Sequence, residues 1–175
     1  MIVYLIAGKA GSGKTLAASM LKNIYEKQGK KAVITEYSKY IKLFAKDLTL
    51  WDGVSEPKPR DFLQEMGDYV RTLKKDTYFV ERMKEDLQIY QNFVDVVIIS
   101  DVRMPKELDE LAEYHPVKIK VVQSTLQNHL TEKQANHITE HALDEYDAFD
   151  YVLQDLSVEK LERELEIIVE RNEEK

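Results

Sequence analysis

The chain has 175 residues, is 43% hydrophobic and 33% charged, and carries a formal net charge of −7 with a pI near 5.2. That length suits one domain with a real core, and the acidic balance argues against a nucleic-acid polymer as partner, since such partners are held by clustered cations. No apolar run approaches the roughly 20 residues of a membrane span, the N-terminal run lacks a signal peptide's basic leader, and the absence of cysteine removes disulfides and thiol chemistry and fits a cytoplasmic protein.

Ile2–Ala7 is a short apolar run rich in β-branched and aromatic residues and reads as a buried strand. Leu16–Lys27 has apolar residues at helical spacing and meets Gly29 as a C-cap. Ala32–Thr35 is a second strand, Lys39–Leu50 a helix, and Glu56–Pro59 a turn marked by two prolines. Arg60–Lys74 and Tyr78–Tyr90 are helices with one apolar side each. Val94–Ile99 is a strand, Pro105–Tyr114 a helix opened by proline, and Val117–Val122 a strand. Leu126–Ala142 is polar and ambiguous, Tyr151–Leu153 a last short strand, and Ser157–Arg171 an amphipathic helix capped by Ser157. Its acidic run is read as a solvated face and frayed tail. Alternating strands and helices predict an α/β fold with about five mainly parallel strands and helices on both faces. The loops after Ala7, Thr35, Ile99 and Val122 then share one rim, where such sheets bind ligands.

Gly8-Lys9-Ala10-Gly11-Ser12-Gly13-Lys14-Thr15 matches the P-loop pattern GxxxxGK(S/T) in full, between a strand and a helix as the pattern requires. Glycines 8, 11 and 13 free the backbone to turn its amides inward, and those amides with the following helix N-terminus form an anion cradle. Ala10 and Ser12 contribute cradle backbone. Helix-end charge contributes only about 0.3–1 kcal/mol per charge at exposed sites, so Lys14 is needed to meet the β and γ phosphates of ATP, and Thr15 offers a hydroxyl to Mg²⁺.

Asp101, at the end of VDVVIIS, sits where an acid of the metal shell belongs, or alternatively caps the helix begun at Pro105. Arg103 is a candidate for a substrate phosphate, or else a surface pair. In PKPRDFLQEMGDYVRT, Arg60 and Arg71 lie 11 residues apart, close to three helical turns, with Gln64 and Gly67 between them. Two arginines on one face can grip a phosphate, Gln64 can read a base edge, and Gly67 allows close approach; the plain alternative is a solvated arginine face.

Together GKAGSGKT, KPRDFLQEMGDYVR and IISDVRMPKE resemble the phage and bacterial deoxynucleoside monophosphate kinases, relatives of the adenylate kinase-like group. The match runs through Pro59, Arg60, Leu63, Gln64, Gly67 and Arg71, and through Asp101, Val102, Arg103, Met104 and Pro105. The resemblance implies a P-loop kinase domain over the whole chain. It would have a helical substrate-binding insertion at about 38–92 and a lid-like segment at about 124–143. It places Ser38 and Lys42, in SKYIKLFAKDL, near the acceptor. It implies ATP and Mg²⁺ as cofactors, phosphoryl transfer to a (deoxy)nucleoside monophosphate, catalytic roles for Lys14, Asp101 and Arg103, and a monomer or homodimer without membrane partners. The rivals are a kinase of a non-nucleotide phosphorylated metabolite and a nucleotide-binding regulatory protein without transfer activity.

One departure stands out. Such kinases bring lid arginines onto the transferring phosphate, yet Ser124 to Leu143 holds no arginine. Its fixed cation is Lys133, with His129, His137 and His141 nearby, which leaves Arg103, Arg71 or Lys9 to compensate. His137-Ile138-Thr139-Glu140-His141 also fits the H-x-x-E-H zinc pattern, with Glu145 or Asp147 as a forced third ligand. So short a pattern arises easily by chance, and a polar lid bearing histidines is the preferred reading.

Overall fold

The computed structural model describes residues 1–124 and 130–173. Five strands, β1 (Ile2–Ala7), β2 (Ala32–Thr35), β3 (Val96–Val102), β4 (Val117–Val122) and β5 (Tyr151–Gln154), form one sheet in the order β2-β3-β1-β4-β5, every pairing parallel. Parallel strands need covered crossovers. Helices α1 (Lys14–Lys27), α2 (Lys39–Thr49), α3 (Arg60–Leu73), α4 (Tyr78–Tyr90) and α5 (Pro105–Asp109) supply them, followed by two single turns, α6 (Glu132–Ala135) and α7 (Ile138–His141), and the long α8 (Val158–Glu173).

The two-residue period of β1 divides the core. Tyr4 and Ile6 face α1 and α8, where Ala17, Leu21, Leu161, Leu165 and Ile168 are buried with them. Val3, Leu5 and Ala7 face the other way, onto Tyr37, Ile41, Phe79, Met83, Leu108 and Leu111. Each fully buried large apolar side chain contributes about 1.5–3 kcal/mol relative to exposure. Polar contacts enter this core as well: Tyr4 and Tyr25 share a 2.7 Å hydroxyl–hydroxyl hydrogen bond, the Tyr37 hydroxyl donates to the Glu107 carbonyl at 2.7 Å, and burial raises the proton affinity of the Tyr4 hydroxyl well above its usual value. On α8, Leu161, Leu165, Ile168 and Val169 recur at helical spacing toward α1, while Glu159, Glu164, Glu166 and Glu170 are exposed, as the acidic-face reading expected. Ser157 accepts a hydrogen bond from the Lys160 amide at 3.3 Å.

Three boundaries differ from expectation for physical reasons. β3 begins at Val96 and continues through Ser100, Asp101 and Val102, because its parallel pairing with β1 runs on until Ala7 meets Val102. Asp101 therefore lies on the strand and not in the loop beyond it. The helix expected over Pro105–Tyr114 stops at Asp109 and tightens into a 3₁₀ turn at Ala112–Tyr114. His115 precedes Pro116, where the right-handed helical region is disfavoured, and takes the left-handed region at φ 46°. Between β4 and β5 the ambiguous stretch forms two single turns. Thr131 and Gln134 cap the first reciprocally and the His137 side chain caps the second; residues 125–129, with His129, lie outside the described residues. Among the described residues no helix is long and apolar enough to cross a membrane.

Candidate active site

All the strands point one way, so the loops after β1, β2, β3 and β4 gather at one rim of the sheet. They enclose a cleft of about 370 Å³ together with α3 and α7. The P-loop forms its floor. Gly8, Gly11 and Gly13 adopt φ 149°, 79° and 95°, a backbone that side chains rarely tolerate. Space is as restrictive as conformation at Gly8, where a Cβ would lie 2.4 Å from the Val121 carbonyl oxygen and 2.5 Å from Ser12 Oγ. The first turn of α1 carries no acidic residue, so no side chain of its own answers the positive end of the helix. Ser12 Oγ is buried and, among the described residues, has no hydrogen-bond partner. A backbone shaped this closely, an unanswered helix end and an orphaned hydroxyl fit a polyphosphate anion.

Lys14 is buried and donates from Nζ to the carbonyls of Gly8 and Lys9, both at 2.7 Å. Burial first, and then the charge of Arg103, lower its pKa from 10.5 to about 7, against the pull of Glu140 and Asp101. Thr15 is exposed and lines the cleft.

Asp101 accepts three hydrogen bonds from the loop after β2, from the Tyr37 amide (2.7 Å), the Ser38 amide (2.9 Å) and the Ser38 hydroxyl (2.6 Å). It does not cap α5. That task belongs to Glu107, whose Oε2 accepts from the amides of Arg103 (2.7 Å) and Met104 (3.0 Å). Glu107 is buried, and desolvation raises its pKa to about 7, with the nearby charge of Asp101 adding to the rise and Arg71 opposing it.

The acceptor-side candidates meet in the same cleft: Ser38, Lys42, Arg60, Gln64, Gly67, Arg71 and Arg103 all line it. Lys42 pairs with Glu36, and Arg60 with Glu56 at 3.2 Å. Arg71 sits 5.2 Å over the Phe79 ring and 3.9 Å from Glu107 Oε1. Gly67 is what admits it: a Cβ there would lie 3.2 Å from Arg71 Nη1, so the glycine makes room for the guanidinium itself. The Gln64 amide donates to the Gln134 carbonyl at 3.2 Å, joining α3 to α6. Of the P-loop candidates, Ala10, Gly11, Lys14 and Thr15 line the cleft, whereas Gly8, Ser12 and Gly13 are not among its lining residues.

The H-x-x-E-H residues point three ways. His137 contacts Asp68 and Thr139, both at 2.9 Å, and His141 contacts Asp144 and the Ala135 carbonyl. Glu140 is buried and bridges the site, with Oε2 accepting from the Ala10 amide at 2.8 Å and Oε1 from Arg103 Nη1 at 2.7 Å. Lys9 adds a second tie from the P-loop, to Asp144 at 2.8 Å. Among the described residues no group of three or more His, Asp or Glu is placed to hold a metal ion. Glu140→Ala leaves the Ala10 amide without its acceptor and Arg103 without its carboxylate partner. It is expected to lower unfolding stability by about 2–3 kcal/mol, read as the shift of a urea-unfolding midpoint at unchanged slope.

Three site residues were not singled out from the sequence. Glu140 carried a signal, but one that pointed to a metal. Glu107 offered only its position two residues after Pro105. Lys58 stands between Pro57 and Pro59, a rigid setting that marks a presented side chain.

No family model matches the chain, and no curated protein matches it. Among solved structures it is similar to the shikimate kinase of Aquifex aeolicus, with a TM-score of 0.51 and 15% identity over 98% of each chain. The APS kinase of Mycobacterium tuberculosis superposes with a TM-score of 0.46 and 12% identity, over 97% of this chain and 96% of that one. The five-stranded parallel sheet, the glycine-turned loop after β1 and the first of these likenesses establish an α/β fold of the P-loop NTPase type.

Proposed function

We propose that the chain is an ATP- and Mg²⁺-dependent phosphotransferase whose acceptor is a (deoxy)nucleoside monophosphate. The observation that carries this reading is one cleft lined by the P-loop with Lys14 and by further cations, Lys42, Arg60, Arg71 and Arg103 among them. A triphosphate would use the P-loop; a second anion accounts for the cations beyond it. Mg²⁺ would supply charge neutralisation for the phosphates, and Thr15 and Asp101 are the residues that would hold it.

The acids of the cleft favour a phosphate oxygen over a hydroxyl as nucleophile. A hydroxyl needs a general base within reach. Asp101 is engaged by three donors, Glu36 by Lys42, Glu56 by Arg60 and the Lys58 amide, Glu107 by the Arg103 and Met104 amides with Arg71 beside it, and Glu140 by Arg103. A phosphomonoester, with a second pKa near 6, is already ionised at neutral pH and needs no base. Its oxygen attacks the γ phosphorus, the bond to the β–γ bridging oxygen breaks, and ADP leaves. Lys14 then steadies the charge on the leaving side, and Arg71 and Arg103 the charge on the acceptor side. One observation favours a second reading, a non-nucleotide phosphorylated metabolite: the Gln64 amide that would read a base is spent on Gln134.

The test is a coupled ADP-release assay across nucleoside monophosphates and phosphorylated non-nucleotide metabolites. A rate raised by a monophosphate supports the reading, and ATP binding with no acceptor-dependent turnover sinks it. In the responsive pair, Arg71→Ala is expected to raise the acceptor KM about 10- to 100-fold, the loss of one charge-assisted hydrogen bond of roughly 1.5–3 kcal/mol. The KM for ATP should change little.

A further inference from the structure

The arginine-free segment after β4 raises the question of which cation meets the phosphoryl group in flight. Lys14, Lys42, Arg60, Arg71 and Arg103 each have a carbonyl or carboxylate partner on the chain, described above. Lys58 does not. It lines the same cleft, yet among the described residues its ammonium has no hydrogen bond and no ion pair.

Its backbone, by contrast, is held tightly. Pro59 restricts the Lys58 backbone angles, and Pro57 fixes the turn that leads into them. The Lys58 amide donates to Glu56 Oε2 at 2.7 Å, and its carbonyl accepts from the Arg60 amide at 2.7 Å. The side chain is thus presented by a stiff segment into a cleft that leaves its charge unanswered. Lys14, Lys42 and Arg60, with Glu36 and Asp101, line the cleft beside it. Burial, then Lys42 and Arg60, lower its pKa to about 8, while Glu36 and Asp101 oppose them. Lys14 in turn is destabilised as a cation by Lys58. Lys58 shares one cleft with the P-loop lysine and with Lys42 and Arg60, and the charge of each acts on it or it on them. Two cations crowded around one space, one of them unpaired, call for an anion between them.

We propose that Lys58 is a second catalytic lysine, its ammonium taking an oxygen of the phosphoryl group as that group passes from the triphosphate to the acceptor. It supplies the charge that lid arginines supply in the kinases the sequence resembles. This rests on the transfer reading, and the acceptor-side arginines keep their separate task of holding the substrate.

The experiment has two arms. In the first, wild-type protein carrying isotopically labelled lysine side chains is titrated with tripolyphosphate and followed by NMR, Lys58→Met identifying the resonance. Lys58 is expected to shift and to titrate at higher pH when the anion is present; a resonance unmoved at saturating tripolyphosphate overturns the proposal. In the second, Lys58→Met is compared with wild type in the acceptor-dependent assay. Its kcat is expected to fall about 100-fold, the scale for losing one preorganised charge-stabilising donor. ATP affinity should stay within about threefold by calorimetry, and Lys58→Arg should recover part of the rate. A kcat within about threefold of wild type overturns the catalytic role. If no acceptor supports turnover in the wild type, the transfer reading fails on its own, and the tripolyphosphate arm still decides whether Lys58 is an anion contact.

Discussion

Lys14→Ala is expected to abolish ATP-induced thermal stabilisation and to lower any phosphoryl transfer by at least about 100- to 1,000-fold, the scale for losing a preorganised group at developing charge. The protein itself should survive the change. Removing the ammonium leaves the carbonyls of Gly8 and Lys9 without their donor, a cost of about 1–3 kcal/mol. It also removes a charge that burial disfavours, as the lowering of the Lys14 pKa to about 7 records. The two effects offset each other, so melting without ligand should move little while the ligand-induced shift disappears. An undiminished shift would remove the P-loop assignment.

The same residue makes binding depend on pH, and the sign is fixed. Free Lys14 has a pKa of about 7, and triphosphate beside it favours the charged form and raises that value toward the ordinary 10.5. Between those values the complex holds a proton that the free protein has released. Binding therefore takes up close to one proton near pH 8, and ATP affinity weakens as pH rises from 7 toward 10. Calorimetry in buffers of different ionisation enthalpy measures the uptake. The difference between wild type and Lys14→Ala isolates this lysine from Glu107 and Lys58, which titrate in the same range. Equal uptake in both proteins contradicts the assignment.

Gly8→Ala is expected to lower stability by about 4 kcal/mol. That estimate adds roughly 1–3 kcal/mol for a strained backbone to about 1–3 for overpacking. The backbone angle of 149° opposes any side chain, and the new Cβ has nowhere to go. Its neighbours would be the Val121 carbonyl oxygen at 2.4 Å, which belongs to β4, and Ser12 Oγ at 2.5 Å. Relief requires the P-loop to move off the sheet, so nucleotide binding should fail together with stability. Gly29 is the control. Its φ is 78° but nothing lies within 4 Å of the added atom, so Gly29→Ala meets only the conformational cost, about 1 kcal/mol. Urea midpoints for the two variants, at unchanged slope, separate collision from strain; equal losses would show that the packing against β4 is unimportant.

The fold was legible because its signals are local. Apolar runs such as Ile2–Ala7 and Val96–Ile99 announce buried parallel strands, and helical spacing marked α1, α3, α4 and α8. Boundaries slipped where a neighbour decided them. Asp101 joined β3 because β1 offers partners as far as Val102, which no property of VDVVIIS discloses. The candidate site was legible where a single loop builds it and obscure where distant segments meet. Glu140 lies 130 residues from Ala10, and its carboxylate reads as a metal motif until the fold turns it onto the P-loop. Gly67 was identified as a place of close approach, but that the approaching group is Arg71 depends on the helix being formed and packed against Ile41 and Phe79.

By itself, the sequence of this chain determines the phosphate cradle, because glycine freedom, helix-end amides and a lysine lie within eight consecutive residues and need no partner from elsewhere. It determines the α/β architecture for the same reason, since strand and helix periods are written along the chain. Only the tertiary structure decides which charges answer each other. The electrostatics of a half-buried cleft depend on separation and desolvation, and neither follows from spacing in sequence. That is why Glu107 came to cap the loop bearing Arg103, why Glu140 came to bridge the P-loop and that arginine, and why Lys58 lines the cleft with no partner for its charge among the described residues.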